Sequence, residues 1–386
     1  MATQHIDPIK VDPAKLYANL GVQWYARGSF KRDQKRGADI KATRLFKVRQ
    51  GQFVYNRMFV TEGSFAIIAP DHADGVVSNE FPVFDLDQSV VIPEYLLLHF
   101  QQPAVWSEIA SQAAGTTKSR RRWKESQFLD YRLALPPIAA QRRIVGLTDS
   151  LDAAIETANS ETAAASELLS QTRIALIQRL ENQVAFGDML ARVRVPVDVD
   201  PSAPYQEVGL RSHGRGTFVK SAVTGADLGK KKVFWLTPGD LAFNIVFAWE
   251  GAVALLGDDV SGKIASHRFP TYRGSNDWIA KYAAEYFKTA VGVQALADFS
   301  PGGAGRNKTL NLARLESHVI PVPTQDEGPA IVSALEDLTT TVDAARTHAE
   351  ALRTLRSNLL TVLLSGEHEI PSSYDQFLNL DEEAAA

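Results

Sequence analysis

Residues 135–180, LPPIAAQRRIVGLTDSLDAAIETANSETAAASELLSQTRIALIQRL, have the sequence of one long helix. After Pro136-Pro137 the stretch contains no proline and a single glycine, Gly146, so one helix can run through it. Apolar or small residues recur at spacings of three and four, the pattern of a coiled-coil seam that needs a partner helix. The seam residues are Ile144, Thr148, Leu151, Ile155, Ala158, Thr162, Ala165, Leu169, Thr172 and Leu176.

A second stretch of this kind occupies residues 321–366, PVPTQDEGPAIVSALEDLTTTVDAARTHAEALRTLRSNLLTVLLSG. Each helix would be roughly 60 Å long at about 1.5 Å per residue. One such segment alone would fit an ordinary helical domain, but two of them favour a paired coiled coil. The second seam is interrupted at Arg356 and comprises Ile331, Leu335, Leu338, Val342, Ala345, Ala349, Leu352, Leu359 and Leu363.

The composition is that of a globular protein with room for two or three domains, since 45% of the 386 residues are hydrophobic. The chain has no run of 18 apolar residues, and its start, MATQHIDPIKVDPAK, is not a signal peptide. We therefore expect a soluble, cytoplasmic chain without a membrane partner. Because it has no cysteine, disulfides, zinc fingers and thiol catalysis are excluded.

Charge is distributed unevenly along the chain. Residues 1–135 hold 18 Lys and Arg against 14 Asp and Glu, and residues 186–320 hold 16 against 13. The whole chain has a net charge of −4, so the helices and the tail carry the acidic excess. This asymmetry is compatible with two basic faces on an acidic spacer, although solvated faces of either sign are common.

The chain contains an internal duplication. At a shift of 188, residues 8–82 match residues 196–270 without a gap, with 23 identities among 75 pairs. About 6% identity is expected by chance from average composition. The match continues at shifts of 187 and 186, and the two helices follow in register. The chain is therefore two copies of one unit, a globular domain followed by a long helix.

The duplication predicts five segments. Strand-like runs such as Phe53-Val-Tyr-Asn alternate with glycine turns, and Tyr95–Ala110 and Trp278–Asp298 have the pattern of amphipathic helices. Each globular domain should be α+β, and residues 1–7 and the end of the tail should be ordered only in part. The segments are a first globular domain at 1–135, a helix at 136–185, a second globular domain at 186–320, a helix at 321–366 and an acidic tail at 367–386.

Motifs for catalysis are largely absent from the sequence. Gly257–Lys263 nearly meets a phosphate-binding loop, but Ile264 replaces the hydroxyl residue that would hold magnesium. The only Pro-Pro pair lacks the polar and aromatic neighbours of a base-methylating loop, and no clustered carboxylates suit a nuclease. The histidines have no metal-ligand spacing. We predict a non-catalytic chain with no metal or cofactor; an enzyme using Lys263 or Lys308 on phosphate is the minor alternative.

Cations interleaved with aromatics and glycines occur at matching places in both copies. Such segments suit DNA, because Lys and Arg neutralise phosphates while Arg and Asn pair with base edges. Solvated loops are the better explanation for any one cation, but a weaker one for clusters repeated in both copies. The candidates in the first copy are Arg27, Lys31, Arg32, Lys35, Arg36, Asn56, Arg57, Lys118, Arg120, Arg121, Arg122 and Lys124. Those in the second copy are Arg211, His213, Arg215, Lys220, Lys230, Lys231, Lys232, Asn244, Arg306, Asn307 and Lys308.

The order of domain and helix resembles the DNA specificity subunit of type I restriction-modification systems. Members of that family carry a phrase like lPPlxEQxxIv at each helix entry. Here Leu135-Pro-Pro-Ile-Ala-Ala-Gln141 is followed by Ile144-Val145, with Ala140 in place of the acidic residue. The second entry, from Pro321 to Val332, is further from the phrase. The resemblance covers nearly the whole chain.

The resemblance implies two target recognition domains, each reading one half of a bipartite, asymmetric site on double-stranded DNA. The two long helices would pack antiparallel as a spacer, giving a pseudo-twofold arrangement, and two methyltransferase subunits would dock on this chain. S-adenosylmethionine would belong to those partners. ATP and Mg would belong to motor-nuclease subunits, two of them where they are present. The runner-up is a DNA-binding scaffold of another defence system without a fixed methylation target.

Overall fold

The computed structural model describes residues 1–112, 122–303 and 308–378, and within it the chain divides into two compact units. Unit 1 comprises Met1–Thr157 and Ala349–Ala386, and unit 2 comprises Ala158–His348. Both units mix helix and strand, as expected. The division differs from the five segments predicted above, because each long helix contributes one part to each unit.

Unit 1 contains eleven short strands and three short helices among its described residues. The strands are β1 (Ala2–His5), β2 (Pro8–Lys10), β3 (Leu16–Tyr17), β4 (Leu20–Val22), β5 (Ser29–Lys31), β6 (Lys35–Arg36), β7 (Arg44–Lys47), β8 (Phe53–Tyr55), β9 (Phe65–Ile67), β10 (Val76–Val77) and β11 (Val83–Leu86). The helices are α1 (Pro93–Phe100), α2 (Pro103–Gln112) and α3 (Glu125–Asp130). The long helix α4 (Ile138–Gln178) follows.

Antiparallel pairing organises these strands into two main sheets. The four-stranded sheet has the order β1-β11-β8-β9, and the three-stranded sheet has the order β10-β7-β2. Strands β4 and β5 form a hairpin with Leu20 opposite Lys31, and β3 pairs with β6. A core of aromatic side chains lies under α1 and α3, with Phe53, Tyr55 and Phe65 fully buried. Burial of these large aromatic side chains contributes to the unit's hydrophobic stabilisation.

Unit 2 repeats the strands and short helices of unit 1 in the same order, with two further strands and two further short helices. Its strands are β12 (Gln183–Ala185), β13 (Leu190–Val193), β14 (Val195–Pro196), β15 (Pro204–Tyr205), β16 (Val208–Leu210), β17 (Thr217–Val219), β18 (Val223–Thr224), β19 (Val233–Trp235), β20 (Leu241–Phe243), β21 (Val253–Leu255), β22 (Ile264–Ser266), β23 (Thr271–Gly274) and β24 (Val319–Pro321). Its helices are α5 (Phe186–Met189), α6 (Gly225–Leu228), α7 (Ile279–Tyr286), α8 (Ala290–Asp298) and α9 (Leu312–Glu316), followed by α10 (Gly328–Leu364).

The sheet topology of unit 2 matches that of unit 1. The order β13-β23-β20-β21 repeats β1-β11-β8-β9, and β14-β19-β22 repeats the three-stranded sheet. Strands β16 and β17 form the second copy of the hairpin, with Leu210 opposite Thr217. Strand β12 pairs with β24 in a separate two-stranded sheet. The duplication predicted from the sequence is therefore a duplication of fold.

Many residues shared by the two copies build this fold. The Tyr17 hydroxyl accepts a hydrogen bond from the Asp12 amide at 2.9 Å, and Tyr205 repeats the bond with Asp200 at 3.0 Å. A Cβ on Gly37 would lie 2.0 Å from the Asp12 carbonyl oxygen, so only glycine fits there. The identities at these positions therefore reflect backbone packing within each unit.

The long helices pair in each unit as antiparallel segments. In unit 1, Ile144 near the start of α4 shares a core with Leu363 near the end of α10. In unit 2, Ile177 near the end of α4 shares a core with Ile331 near the start of α10. The predicted seam residues Ile144, Leu151, Ile155, Leu169, Leu176, Ile331, Leu335, Leu338, Val342, Leu352 and Leu359 are all buried or half-buried.

The interruption of the seam at Arg356 is occupied by an ion pair. Its guanidinium donates two hydrogen bonds to the Asp152 carboxylate, with Nη2 2.8 Å from Oδ2. Gln141, the glutamine of the helix entry, is completely buried. Its amide donates to the carbonyls of Val90 and Pro136, and its oxygen accepts from the Ile92 amide, each at 2.9 Å. Gln141 therefore anchors the start of α4 to the loop before α1.

Three expectations about local structure are corrected. Tyr95–Ala110 is not one helix: α1 ends at Phe100 and α2 begins at Pro103, because proline cannot continue a helix. Trp278–Asp298 is divided at Thr289, whose hydroxyl caps α8 by accepting from the Gly292 amide. Residues 1–7 contain β1, which pairs along its length with β11.

The C-terminal tail is described as far as residue 378. Ser372–Phe377 forms a 3₁₀ turn, and Asp375 accepts two hydrogen bonds from Arg143 at 2.6 and 2.9 Å. Residues 379–386 lie outside the described part of the chain. None of the helices in the described residues combines the length and apolarity that a membrane span requires.

Candidate nucleic-acid interface

In both units the hairpin loop, between β4 and β5 in unit 1 and between β16 and β17 in unit 2, has the same unusual backbone. Tyr25 has a φ of +62° and Ala26 one of +49°; His213 and Gly214, at the matching positions, both have a φ of +62°. Gly28 and Gly216 end the two loops with φ of +99° and +76°. Residues other than glycine adopt a positive φ only at a cost in free energy, and residues with such a backbone cluster at functional sites. The loop therefore marks a place to look for a binding surface.

A groove lies beside this loop in unit 1. We call groove 1 the cavity of about 470 Å³ lined by Trp24, Arg27, Phe30, Arg32, Asn56 and Phe59. An adjoining cavity of about 340 Å³ shares Arg32 and adds Lys35 and Phe81. The Arg32 guanidinium lies over two rings, 5.8 Å from the centre of Phe30 and 5.9 Å from that of Phe81. Cation–π contact of this kind leaves the guanidinium donors available for a ligand.

A groove lies at the same place in unit 2. We call groove 2 the cavity of about 710 Å³ lined by Phe218, Lys220, Lys231, Asn244, Phe247 and Phe269. Phe218, Lys220, Asn244, Phe247 and Phe269 are offset by 188 from five residues of the unit 1 cavities. Both grooves thus combine phenylalanines with a cation and a buried asparagine. Cations with aromatic surfaces suit phosphates and bases.

The electrostatics of the two grooves differ. Among the described residues no acidic side chain lines groove 1, although Asp33 and Asp39 line the adjoining cavity. In unit 2, Glu207 pairs with Lys220 at 3.7 Å and also with Lys231, and Glu250 lines groove 2. Groove 1 therefore presents more uncompensated positive charge than groove 2 does.

The asparagines Asn56 and Asn244 support the grooves from within. Each is nearly buried, and each side-chain oxygen accepts from the backbone amide two residues on: Met58 at 3.0 Å and Val246 at 3.1 Å. Both asparagine oxygens are thus occupied in turns. Only their amide nitrogens remain to face a ligand in the grooves.

The other cations predicted in unit 1 lie outside groove 1. Lys31 pairs with Asp74 at 3.6 Å, Arg57 pairs with Glu125, and Arg122 pairs with Glu80 at 3.2 Å. Arg36 and Lys124 are exposed. The three paired cations are partly neutralised within the unit. A DNA contact by Arg57 or Arg122 would have to replace its carboxylate partner.

In unit 2 the remaining predicted residues surround groove 2 without lining it. Arg211 stacks on Phe218 with 5.3 Å to the ring centre, and Lys308 lies 4.6 Å from the centre of Trp249. His213, Arg215, Lys230 and Lys232 are exposed. The predicted residues Lys118, Arg120, Arg121, Arg306 and Asn307 lie outside the described residues.

The site residues predicted from charge did not include the aromatic side chains that line both grooves. Phe30, Phe59 and Phe81 line the unit 1 cavities, and their counterparts line groove 2. Arg268 and His267 also line groove 2. The signal for the phenylalanines is in the sequence, since all three are identical between the copies at a shift of 188.

The described residues offer little support for the phosphate-loop alternative. Lys263 donates to the Asp259 carbonyl, and the chain continues into strand β22 rather than into a helix. A phosphate loop needs the amides of a helix start at that point. Within residues 1–112, 122–303 and 308–378, no group of three or more His, Asp or Glu is placed to hold a metal ion.

The described residues thus form two repeated α+β units, each with a groove lined by cations and phenylalanines. Two paired long helices accompany these units. No protein-family model matches the chain, and no curated protein matches it. Solved structures do. The HsdS subunit from Thermoanaerobacter tengcongensis is similar with a TM-score of 0.51 and 15% identity, over 92% of each chain.

A second similar structure concerns complex assembly and conformational transition of the type I restriction-modification system. The TM-score is 0.57 at 14% identity, and the match covers 94% of this chain and 97% of the other. At these identities the likeness establishes the fold. The chain has the fold of the type I restriction-modification specificity subunit.

Proposed function

We propose that this chain is the sequence-specific DNA-binding subunit of a type I restriction-modification complex. Each unit reads one half of a bipartite site, and because the two copies differ in their groove residues the site is asymmetric. The two long helices act as the spacer and as the surface on which two methyltransferase subunits dock. Motor-nuclease subunits join where restriction accompanies modification.

The observation that carries this proposal is the matched pair of grooves. Phe30, Arg32 and Asn56 in groove 1 correspond to Phe218, Lys220 and Asn244 in groove 2. Phosphate contacts position a protein on DNA and base contacts specify the sequence, so a shared groove with different neighbouring side chains suits two readers of unlike half-sites. The fold likeness to type I restriction-modification structures supports the same function.

The chain itself is proposed to be non-catalytic. Adenine methylation requires the target base to be flipped out of the duplex, with S-adenosylmethionine held by the partner methyltransferase. Any requirement for ATP and Mg belongs to the nuclease partner. This chain contributes the binding energy and the choice of sequence.

Methylome sequencing tests the proposal. Cells that lack other DNA methylation receive this chain together with the methyltransferase encoded beside it. The expected result is methylated adenine in one bipartite, non-palindromic motif, and none when this chain is omitted. Methylation without a motif would favour a DNA-binding scaffold with no fixed target. Unchanged methylation without this chain would contradict the proposal.

A further inference from the structure

The hairpin loop of unit 1 exposes two large aromatic side chains beside groove 1. Trp24 is 48% exposed and Tyr25 is 53% exposed. Their backbone is held by two hydrogen bonds, from the Ala26 amide to the Gly63 carbonyl at 2.6 Å and from Gln23 to Gly28 at 2.9 Å. Together with the positive φ of Tyr25 and Ala26, these hydrogen bonds fix the backbone from which both rings project.

Each exposed ring is backed by a second ring. Trp24 lies against Phe59 and Tyr25 lies against Trp106, each pair with ring centres 5.7 Å apart. Trp106 is itself fixed by a hydrogen bond from its indole nitrogen to the Phe100 carbonyl at 2.6 Å. The exposed part of Trp24 is therefore available to a ligand, whereas the Tyr25 ring also lies beneath the Arg27 guanidinium and supports that cation beside it. Rigid, two-layered aromatic groups lose little entropy when they bind.

The charge around these rings points to the kind of ligand. The Arg27 guanidinium lies over the Tyr25 ring, 5.5 Å from its centre, and Arg32 lines the same groove. An aromatic surface flanked by cations and free of acids is complementary to an aromatic anion. A nucleotide supplies both parts, a base that stacks and a phosphate that pairs. An apolar protein surface would desolvate the two guanidiniums without pairing them.

At the matching loop of unit 2, the described residues form no such aromatic pair. Ser212, His213 and Gly214 occupy the positions of Trp24, Tyr25 and Ala26, and His213 has the same positive φ as Tyr25. The Ser212 hydroxyl is used within the unit, donating to Glu250 at 2.8 Å. The same backbone therefore carries an aromatic pair in one unit and small or polar residues in the other.

We propose that Trp24 and Tyr25 form an aromatic ledge that stacks on a nucleobase unstacked from the bound duplex, and that unit 2 binds its DNA without unstacking. The inference rests on the proposed DNA-binding function. Opening a base step costs free energy that depends on the sequence of the step. The ledge thus gives unit 1 a preference for deformable steps in addition to its direct base contacts.

The test compares two duplexes of about 30 base pairs that differ in one unpaired 2-aminopurine. The full-length chain should bind the interrupted duplex more tightly, because unstacking has already occurred, and should quench its fluorescence. Trp24→Ser, the residue of unit 2, should lose this preference and weaken binding to that duplex by about five- to a hundred-fold. Trp24→Phe should retain it, and the control Leu168→Ser, which replaces an exposed side chain on α4, should behave as wild type.

The fold of Trp24→Ser is checked by its thermal melting curve, and unit 2 shows that serine is compatible with this backbone. Equal binding of both duplexes by the wild type, or an unchanged preference in Trp24→Ser, would overturn the ledge while leaving the proposed function standing. Loss of a co-purifying protein partner with unchanged DNA binding would overturn it in favour of a protein contact. A wild-type chain that binds neither duplex would contradict both proposals.

Discussion

The Nε2 atom of His99 lies 3.0 Å from the hydroxyl of Tyr131, and unit 2 contains the same pair with the residues exchanged. There Tyr286 occupies the helix position of His99, and its hydroxyl lies 3.0 Å from Nε2 of His318. The pair in unit 1 joins α1 to the segment after α3, and the pair in unit 2 joins α7 to the segment after α9. The contact is therefore kept while the two side chains are swapped, which indicates a structural role in each unit.

Burial of His99 predicts a dependence of stability on pH. Desolvation lowers the pKa of His99 from 6.5 to about 4, so the folded state takes up its proton later than the unfolded state on acidification. The stabilisation is present above about pH 6.5 and is lost as pH falls to about 4, up to about 3 kcal/mol. Urea unfolding of wild type and His99→Gln across this range should show a shallower pH profile for the variant. Parallel profiles would contradict the assignment.

The exchanged pair also predicts a rescue. His99→Tyr places two tyrosines in contact and should destabilise unit 1, whereas His99→Tyr with Tyr131→His recreates the arrangement of unit 2. The double variant should recover most of the lost free energy of unfolding, giving a coupling of about 0.5–3 kcal/mol in a double-mutant cycle. Additive losses would show that the two side chains act independently.

Gln141 is predicted to be a stability residue. Replacement by Ala removes three hydrogen bonds, those with the Ile92 amide and with the carbonyls of Val90 and Pro136, and should lower the free energy of unfolding by about 1–3 kcal/mol. Gln171 lies on the same helix, is exposed, and bonds Glu167 at 2.7 Å, so Gln171→Ala is the matched control with a loss below about 0.5 kcal/mol. Equal urea midpoints for the two variants would contradict the conclusion that Gln141 anchors the start of α4.

Gly225 should tolerate no side chain. A Cβ there would lie 2.0 Å from the Asp200 carbonyl oxygen, a backbone atom that cannot move aside cheaply. Gly225→Ala is expected to lower stability by at least about 2 kcal/mol. The control is Gly303→Ala, since a Cβ on Gly303 meets nothing within 4 Å. Chemical denaturation distinguishes them, and similar curves would show that the loop around Asp200 can relax.

The groove cations predict a loss of DNA affinity that depends on salt. Arg32→Ala and Lys220→Ala should each lower the slope of log K against log salt concentration by about 1, as expected for one phosphate contact. Arg346→Ala removes the same charge from an exposed position on α10, where Arg346 pairs with Asp343, and should leave the slope unchanged. A slope that shifts equally in all three variants would mean that only net charge matters.

Arg27 and Arg215 occupy the same position in the two loops and distinguish base contacts from phosphate contacts. If Arg27 or Arg215 contacts a base, its replacement by Ala should weaken specific binding by roughly 1–3 kcal/mol, and by less if it contacts phosphate. Binding is compared between a duplex that contains the motif identified by methylome sequencing and a duplex of scrambled sequence. An unchanged affinity for the motif would remove that arginine from the interface.

Long-range features of the fold were predictable because they depend on repetition. The duplication, the two helices and their seam all follow from spacings in the sequence, and the structure has both helices within one or two turns of the predicted ends. The breaks before Pro103 and at Thr289 were missed. A short apolar run with helical spacing does not reveal where one helix stops and another begins.

The grooves could be predicted only in part. Arg32 and Lys220 were identified by charge, but the phenylalanines around them were not, because an aromatic residue is more often part of the core than of a binding surface. The oxygens of Asn56 and Asn244 close turns in the structure, and the expectation that these residues contact DNA stays a prediction. The pairing of Arg57 with Glu125 joins residues 68 positions apart in the chain, a contact that local spacing does not indicate.

Selection of duplexes from a randomised library by the full-length chain with its methyltransferase tests the central claim most directly. Wild type should recover two separated half-sites. Arg27→Ala should relax the sequence of one half only, and Arg215→Ala should relax the other half only. If either variant relaxes both halves equally, or if the recovered site is a single contiguous sequence, the claim that each unit reads its own half-site is wrong.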